Sequence, residues 1–507
     1  MPRPNLLFLY TDEQRYDTLG CYGNARIEMP NLDRLAAQSA VFERTYVTQP
    51  VCTPSRASLL TGLWPHTCGC VENNIPLRPE TKCLPEMLDD ADYFCGHHGK
   101  WHLGDEIFAQ HGFVEWKGTE DTYHAWYGPQ RDQAERSSYH HFLISRGVQP
   151  EPHPELPPEI ASRFFRQQIH RLPEPVSRPA FLGDEACRFI RQNAGRPWVL
   201  YVNFLEPHMP FHSCRDEQYD PAAVALPPNF DDDLSGGQSL RARMSAAGCR
   251  AKGFEGQALD SEAGWRQLIA RYWGMCGLVD THVGRMLAAL DETGQDGNTV
   301  VVFTSDHGDM MGSHGMLAKG FMFEESSRVP LLVRLPGQRA QRRVASPVSQ
   351  IDVVPTLLDL MGLPLPPHLQ GRSLREVLEG RRTPSDDVFI EWNRDFRPTR
   401  GAAKPLPPHL AGLCTPAEAE AARAEEIRTV VTADGWKFSF STVGDHELFD
   451  LNADPQERRN LARDAGQRQR MGDLLARIRR WQAASDDPLP LPRETWQDAR
   501  DARDGKE

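Results

Sequence analysis

The strongest candidate for a reactive residue in this sequence is a cysteine at the start of a short predicted helix. Cys52 is followed by Pro54 and Ser55, which are common in a first helical turn, and Arg56 lies one turn further on. Backbone N–H groups, the helix dipole and the guanidinium would all stabilise an anion there. The pattern predicts a nucleophile beside an anion pocket; its alternative is a buried cysteine that only packs.

Acidic residues and a histidine follow two predicted buried strands. Asp12 and Glu13 come directly after the first apolar run of the chain, and Asp306 and His307 come soon after its valine-rich run. Because the carboxyl ends of parallel strands meet at one edge of an α/β sheet, these side chains are expected to lie close together. Their mixed oxygen and nitrogen donors predict a site for Ca²⁺, Mg²⁺ or Mn²⁺. The alternative at each position is a solvated turn.

Other cationic and polar side chains are candidates for the same pocket. Lys100 and His102 alternate in a segment flanked by glycines and are predicted to face one side of extended backbone, which suits an oxyanion pocket. Taken alone, Asn73 caps a turn, His208 is a structural histidine and Lys319 is a solvated charge.

Several of these residues lie in segments that resemble one enzyme family. Segment 52–62, CTPSRASLLTG, resembles the signature of the type I sulfatases, which belong to the alkaline-phosphatase superfamily. Segment 99–104, GKWHLG, resembles the second signature of that family, and segments 314–319 and 351–362 resemble later blocks.

The resemblance implies a modified nucleophile and a divalent metal. In that family the signature cysteine is oxidised to formylglycine, whose hydrated aldehyde is the nucleophile, and the same is implied for Cys52. The implied metal is Ca²⁺ first, with Mn²⁺ or Mg²⁺ as alternatives. Its implied ligands are Asp12, Asp306, His307 and Cys52, together with Glu13 where the family carries a second aspartate or a glutamine.

The resemblance also assigns roles to the surrounding side chains. Arg56 and Lys100 are expected to stabilise charge on the sulfuryl oxygens, and His102 to accept a proton when sulfate is expelled. His208 and Lys319 are expected to assist the leaving group. The implied substrate contacts are Asn73, His208 and Lys319.

The predicted function is hydrolysis of a small-molecule sulfate monoester by an arylsulfatase-like enzyme that depends on a formylglycine-generating or equivalent maturation enzyme. A phosphonate monoester or phosphodiester hydrolase on the same scaffold is the alternative, favoured by the Asp-His pair at 306–307. Lys100 and His102 oppose it, because phosphonate monoester hydrolases usually lack them. A non-catalytic anion-binding protein is the alternative if Cys52 stays a thiol.

The elements that must position these residues predict an α/β fold. Residues 1–380 are expected to form the catalytic domain, with a large mixed, mostly parallel sheet flanked by helices, as in alkaline phosphatase. Residues 381–507 are expected to form a smaller α+β subdomain with an antiparallel sheet, a terminal helix and a charged tail. Stretches 105–180 and 212–260 are predicted to be irregular. The first is expected to form a substrate rim or an oligomer contact, and the sequence indicates no role for the second.

Composition excludes some classes of partner. A net charge of −13 on 507 residues argues against a general nucleic-acid or anionic-membrane surface, and no apolar run approaches a membrane span of ~20 residues. Eleven cysteines, an odd number, predict reduced thiols and a cytoplasmic protein, and the sequence leaves a homo-oligomer open. The spacing of Cys68, Cys70, Cys83 and Cys95 leaves room for a soft metal but matches no standard zinc pattern.

Overall fold

The centre of the protein is an eight-stranded sheet. The computed structural model describes residues 3–88, 92–121, 134–150, 170–393 and 405–492. The strands of this sheet are β1 (Asn5–Thr11), β2 (Ala40–Tyr46), β3 (Phe94–Gly99), β4 (Glu115–Gly118), β5 (Trp198–Asn203), β6 (Thr299–Ser305), β7 (Arg328–Arg334) and β8 (Arg342–Ser349). Their spatial order is β4-β3-β5-β1-β6-β7-β2-β8. β7 runs antiparallel to β6 and β2, and the other pairs are parallel, so the prediction of a mixed, mostly parallel sheet is confirmed.

Helices cover both faces of this sheet because successive side chains of a strand point to opposite faces. Leu7 and Leu9 of β1 pack in one core, whereas Leu6 and Phe8 pack in the other. The helices are α1 (Pro30–Ala36), α2 (Cys52–Thr61), α3 (Pro65–Cys68), α4 (Leu84–Met87), α5 (Ser138–Ser145), α6 (Arg178–Gln192), α7 (Leu240–Lys252), α8 (Glu262–Glu292), α9 (Glu324–Ser327), α10 (Val353–Leu360), α11 (Arg375–Leu378), α12 (Pro416–Arg423) and α13 (Arg468–Ser485). Helices α6 and α8 supply the first core, and α2 and α10 supply the second.

Helix α2 is buried along its whole length. It ends at Gly62, whose φ of 69° is a left-handed conformation that glycine adopts without the usual penalty. Its polar side chains find partners inside the domain: Ser58 Oγ donates to the Leu63 carbonyl and accepts from Thr48 Oγ1, both at 2.8 Å. The helix N-terminus, with Cys52, is thereby fixed inside the catalytic domain.

A second sheet forms the C-terminal part. Its antiparallel strands β9 (Val388–Trp392), β10 (Ile427–Val431), β11 (Trp436–Ser441) and β12 (Glu447–Asp450) lie in the order β12-β11-β10-β9, and α13 packs on them. Lys437 of β11 contacts Glu324 of α9 at 3.0 Å, so a buried ion pair joins this sheet to the catalytic part, and Lys437 also contacts Glu457 of the C-terminal part at 2.9 Å. The predicted antiparallel sheet and terminal helix are confirmed. The division at residue 380 stays a prediction, and the charged tail, 493–507, lies outside the described residues.

Two stretches that were predicted to be irregular contain regular elements where they are described. β4 and α5 lie within 105–180, and α7 lies within 212–260. Helix α7 buries Ala242 and leaves its other side chains partly or fully exposed, so it has no apolar stripe for the sequence to reveal. Within the described ranges, none of the helices combines the length and the apolar character that a bilayer crossing requires.

Candidate active site

Two adjacent parallel strands place the predicted acids at one edge of the sheet. β1 and β6 pair in register up to Thr11 and Ser305, and the N–H of Asp306 donates to the Thr11 carbonyl at 3.0 Å. Asp12 and Asp306 therefore lie one residue beyond the ends of neighbouring strands, and both are fully buried. The N–H of Glu13 donates to Asp306 Oδ1 at 3.2 Å, which ties the two strand ends together.

Cys52 joins this edge from the N-terminus of α2. Its Sγ lies 3.6 Å from Asp12 Oδ1 and 3.2 Å from His307 Nε2. His307 Nε2 in turn lies 3.6 Å from Asp12 Oδ1 and 3.5 Å from Asp306 Oδ1. These four side chains are buried, and their ligand atoms all lie within 4.8 Å of one another. The structure thus brings together four of the five predicted metal ligands.

The chemistry of this donor set fits a hard divalent cation. Oxygen ligands lie 2.3–2.6 Å from Ca²⁺, so neighbouring ligands in an octahedral arrangement are about 3.3–3.7 Å apart. The separations of 3.5 and 3.6 Å fall in that range. His307 Nδ1 pairs with the Gly308 carbonyl at 2.9 Å, so that Nε2 presents its lone pair to the other donors.

Arg56 lies between the two aspartates. Its Nε donates to Asp306 Oδ2 at 2.8 Å, its Nη2 to Asp12 Oδ2 at 2.7 Å and its Nη1 to the Lys100 carbonyl at 3.0 Å. Burial would raise the pKa of Asp12, but Lys100, Arg56 and other cations of the site hold that pKa well below its usual range. The sequence predicts a guanidinium that faces sulfuryl oxygens; in the structure it clamps the aspartates.

Lys100 enters the site immediately after β3. Gly99 precedes it, and a Cβ at that glycine would lie 1.9 Å from the carbonyl oxygen of Asn203, so only glycine allows this close approach. The N–H of Lys100 donates to the same carbonyl at 3.2 Å, and Lys100 Nζ donates to Asp12 Oδ2 at 2.6 Å. A buried ammonium therefore lies against the carboxylate edge.

His102 is reached through a turn and does not continue the strand. Its φ of 59° is left-handed, so Lys100 and His102 do not alternate along one extended segment as predicted. His102 Nε2 pairs with Asn74 Oδ1 at 2.9 Å, whereas Asn73 Oδ1 accepts from the N–H of Thr53 at 3.0 Å. Asn73 thus caps the first turn of α2, and Asn74, which the sequence analysis missed, contacts His102. Two consecutive asparagines carry no signal that separates these positions.

Glu106 holds the turn that carries His102, and it too was missed. Its buried carboxylate accepts the N–H of Trp101 at 2.8 Å and the N–H of His102 at 2.5 Å. Burial raises the pKa of Glu106 to about 7, although the two N–H groups oppose that shift. Glu106 lies in the stretch that was predicted to be irregular, and a single glutamate in such a stretch gives no sign of burial.

Glu13, His208 and Lys319 form a second group. Lys319 Nζ contacts Glu13 Oε1, the N–H of Met209 donates to Glu13 Oε2 at 3.3 Å, and His208 Nε2 lies 3.9 Å from Glu13 Oε1. Burial raises the pKa of Glu13 to about 7 despite the nearby Lys319. Glu13 also forms a three-residue ligand-capable group with Asp12 and His208. It therefore pairs with the predicted leaving-group residues and lies outside the four-donor cluster.

The encoded Cys52 thiol is held in its neutral form. Burial, with a further contribution from Asp12, raises the pKa of the Cys52 thiol to about 12. The sulfur is thus protonated near neutral pH, unlike the thiolates of enzymes that use cysteine itself as nucleophile.

Known proteins resemble this chain in sequence and in fold. The Sulfatase family model matches residues 4–363. An uncharacterized sulfatase of Escherichia coli is 30% identical over 94% of this chain and 87% of the relative, and an N-acetylglucosamine-6-O-sulfatase of Bacteroides thetaiotaomicron is 26% identical over 97% and 88%. A solved phosphonate monoester hydrolase of Silicibacter pomeroyi aligns with a TM-score of 0.75 and 26% identity over 95% of this chain and 96% of that one. Since the family match spans most of the chain, this protein is an enzyme of the sulfatase family, within the alkaline-phosphatase superfamily.

Proposed function

We propose that the protein hydrolyses a sulfate monoester, R–O–SO₃⁻, with water to R–OH and hydrogen sulfate by means of a modified Cys52 and a divalent metal. The observation that carries the proposal is the position of Cys52 in a cluster with Asp12, Asp306 and His307. Lys100 Nζ, 2.6 Å from Asp12 Oδ2, adds a buried cation at the same edge. The arrangement suits a small tetrahedral anion that is attacked at its centre.

The covalent and metal chemistry are parts of the proposal. A maturation enzyme oxidises Cys52 to formylglycine. The aldehyde of residue 52 adds water, and one hydroxyl of this hydrate attacks the sulfur of the substrate. A divalent cation held by Asp12, Asp306, His307 and residue 52 would offset charge on the sulfate oxygens and favour ionisation of that hydroxyl. Ca²⁺ is the first candidate, with Mn²⁺ or Mg²⁺ as alternatives, since the separations of 3.5 and 3.6 Å from His307 Nε2 to the aspartate oxygens leave room for an ion of that size.

The surrounding side chains orient the reactants and move protons. Arg56 is a positioning residue that fixes both aspartates. Lys100, whose ammonium lies on Asp12, is assigned to stabilise the charge on a sulfuryl oxygen of the substrate. Burial and Lys100 lower the pKa of His102 well below its usual value, so its ring is neutral and can accept a proton. Asn74, at 2.9 Å, orients that ring.

Lys319 and His208 are assigned to the leaving-group side. Burial opposes the charge of Lys319, but the nearby Glu13 and Asp12 carboxylates raise its pKa above the usual value, so the ammonium persists. His208 Nδ1 pairs with the Met209 carbonyl at 2.6 Å, which leaves Nε2 toward Glu13 and the pocket. Both groups can then contact the departing oxygen as negative charge builds on it.

Hydrolysis of a phosphonate monoester or phosphodiester is the second candidate. The Asp-His pair at 306–307 and the structural likeness to the Silicibacter pomeroyi enzyme favour it. Lys100 and His102 favour a sulfate ester as the substrate, because phosphonate monoester hydrolases usually lack them.

Mass spectrometry and a substrate panel test the proposal together. The chain is produced together with a formylglycine-generating enzyme, and the mass of the peptide that contains residue 52 shows whether it carries cysteine, formylglycine or the formylglycine hydrate. The ratio kcat/KM is compared for aryl sulfate, phosphonate, phosphate monoester and phosphodiester with one leaving group, and for N-acetylglucosamine 6-sulfate. We expect conversion, the highest kcat/KM on a sulfate, and a loss of about 10⁴-fold or more in Cys52→Ala.

A second cysteine supplies the matched control. Cys95 is buried at 4% exposure, and Cys95→Ser is expected to keep full activity. A phosphonate or diester ahead of every sulfate would favour the second candidate. An unconverted thiol together with anion binding and no turnover would favour a non-catalytic protein.

A further inference from the structure

A second set of metal-ligating side chains lies behind the segment that carries Lys100 and His102. Cys83 precedes α4, Glu86 lies in its first turn, and His111 comes from a later loop. The ligand atoms of Cys83, Glu86 and His111 all lie within 4.8 Å of one another. We propose that these three residues form a zinc site that is separate from the active site.

The spacing of the donors suits tetrahedral zinc. Zinc binds nitrogen and oxygen at 2.0–2.2 Å and sulfur at 2.3 Å, so neighbouring ligands of a tetrahedral ion are about 3.3–3.8 Å apart. His111 Nδ1 lies 3.2 Å from Glu86 Oε2, close to the short end of that range. A thiolate, an imidazole and a carboxylate are a borderline donor set that zinc accepts, with water in the fourth position.

Local structure aims the three side chains at one point. Residues three apart in a first helical turn lie on the same side, which brings Cys83 and Glu86 together. Glu86 Oε2 accepts the N–H of Cys83 at 2.9 Å, as in a capping box. Serine, threonine or aspartate is the usual residue at that capping position, and a thiol accepts hydrogen bonds poorly. Glu86 therefore caps α4 and also brings its carboxylate to within ligand distance of the Cys83 thiol.

The third donor is held in an uncommon backbone conformation. His111 has a left-handed φ of 50°, and its ring stacks on Trp101 with centroids 5.8 Å apart. Trp101 stands between Lys100 and His102 in the chain. A zinc ion at His111 would therefore brace the back of the segment that supplies both active-site cations.

Burial and access are also those of a metal site. The Cys83 side chain is fully buried and that of His111 is 5% exposed, whereas the Glu86 side chain is 28% exposed. A cation can enter past Glu86, and the Cys83 thiol loses its proton to solvent as the sulfur–zinc bond forms. Cys68 and Cys83 belong to the same buried cluster of the second core. These thiols are two of the four whose spacing left room for a soft metal.

Cobalt titration of the full-length Cys52→Ala protein tests the site. This background removes the active-site thiol, and excess Ca²⁺ occupies the oxygen donors there. We expect one equivalent of Co²⁺ to give a thiolate-to-cobalt charge-transfer band that Zn²⁺ abolishes. Adding Cys83→Ser should remove the band, and adding His111→Gln should weaken Co²⁺ binding at least about 10-fold.

The control is Cys95→Ser in the same Cys52→Ala background, which should keep the band. Circular dichroism and the metal-free melting temperature show whether each variant folds, and His111→Gln, which leaves the buried thiol in place, keeps the test valid if Cys83→Ser does not fold. A band that survives Cys83→Ser, equal loss in Cys95→Ser, or no band at one equivalent of Co²⁺ would overturn the zinc site. Because every protein in this test lacks Cys52, its outcome is independent of the proposed sulfatase mechanism.

Discussion

Arg56 is the residue whose replacement tests the electrostatics of the active site most directly. Arg56→Ala removes three hydrogen bonds of the guanidinium, two of them to carboxylates, at 2.7 Å to Asp12 and 2.8 Å to Asp306, and all three of these side chains are fully buried. Hydrogen bonds to charged groups contribute about 1.5–3 kcal/mol each, and breaking a buried pair costs about 3–5 kcal/mol because a charge is left unpaired. We expect the free energy of unfolding in chelator to fall by about 3–5 kcal/mol.

The response to metal separates this reasoning from a simple loss of packing. With the guanidinium gone, the two carboxylates lose one of the cations that contact them and Lys100 remains on Asp12, so Ca²⁺ should raise the unfolding free energy of Arg56→Ala more than that of the parent. Every 1.4 kcal/mol of extra rise corresponds to about tenfold tighter binding. Urea denaturation followed by tryptophan fluorescence, in EDTA and in saturating Ca²⁺, measures both quantities.

The C-terminal sheet provides a matched control in Arg428. This arginine is 2% exposed and binds Asp487 in a bidentate pair at 2.7 and 2.8 Å. Arg428→Ala should lose stability in EDTA as Arg56→Ala does, with the same Ca²⁺ response as the parent. Parent-like stability of Arg56→Ala in EDTA, or a Ca²⁺ response equal to that of Arg428→Ala, would refute the role of Arg56 in holding the two aspartates.

Three further outcomes are expected. Lys319→Ala and His208→Ala should lose about 10²–10⁴-fold in kcat/KM on an alkyl sulfate and far less on a nitrophenyl sulfate. If kcat/KM depended on the pKa of the leaving group as steeply as in the parent, these residues would not act on the leaving group. Glu106→Ala should lower kcat at least about tenfold by freeing the turn of His102, with partial recovery in Glu106→Gln, which keeps one acceptor; unchanged kinetics would contradict the positioning role. Dialysis against EDTA should abolish turnover and Ca²⁺ should restore it better than Mg²⁺, so full activity in a preparation free of metal by elemental analysis would exclude metal assistance.

The strand-end acids could be predicted because simple geometry constrains them. A short apolar run predicts a buried strand, and parallel strands bring their carboxyl ends to one edge. The proximity of Asp12 to Asp306 and His307 follows from that rule, although Glu13 and Asp306, which follow the two strands, are 293 positions apart in the sequence. In the C-terminal part, segment 436–440, WKFSF, alternates aromatic and polar residues as a strand does, and it lies in the antiparallel sheet that was predicted there.

What could not be predicted depends on single torsions and on choices between neighbours. The left-handed φ of His102 turns its ring toward Asn74, and nothing in the sequence marks that torsion. Arg56 was expected at the substrate, yet its contacts are set by how two aspartates approach one guanidinium. Burial of Glu106 follows from tertiary packing around a turn that has no periodicity.

The complete burial of α2 limits when its cysteine can be modified. In the finished fold Cys52 is 1% exposed, and its sulfur is covered by His307, which the ribosome adds 255 residues later. At 5–20 residues per second that interval is roughly 10–50 s. If residue 52 is oxidised as proposed, the maturation enzyme has about that long to act before β6 completes the sheet edge. Codon usage and translation speed between these two positions would then set the fraction of molecules that become active.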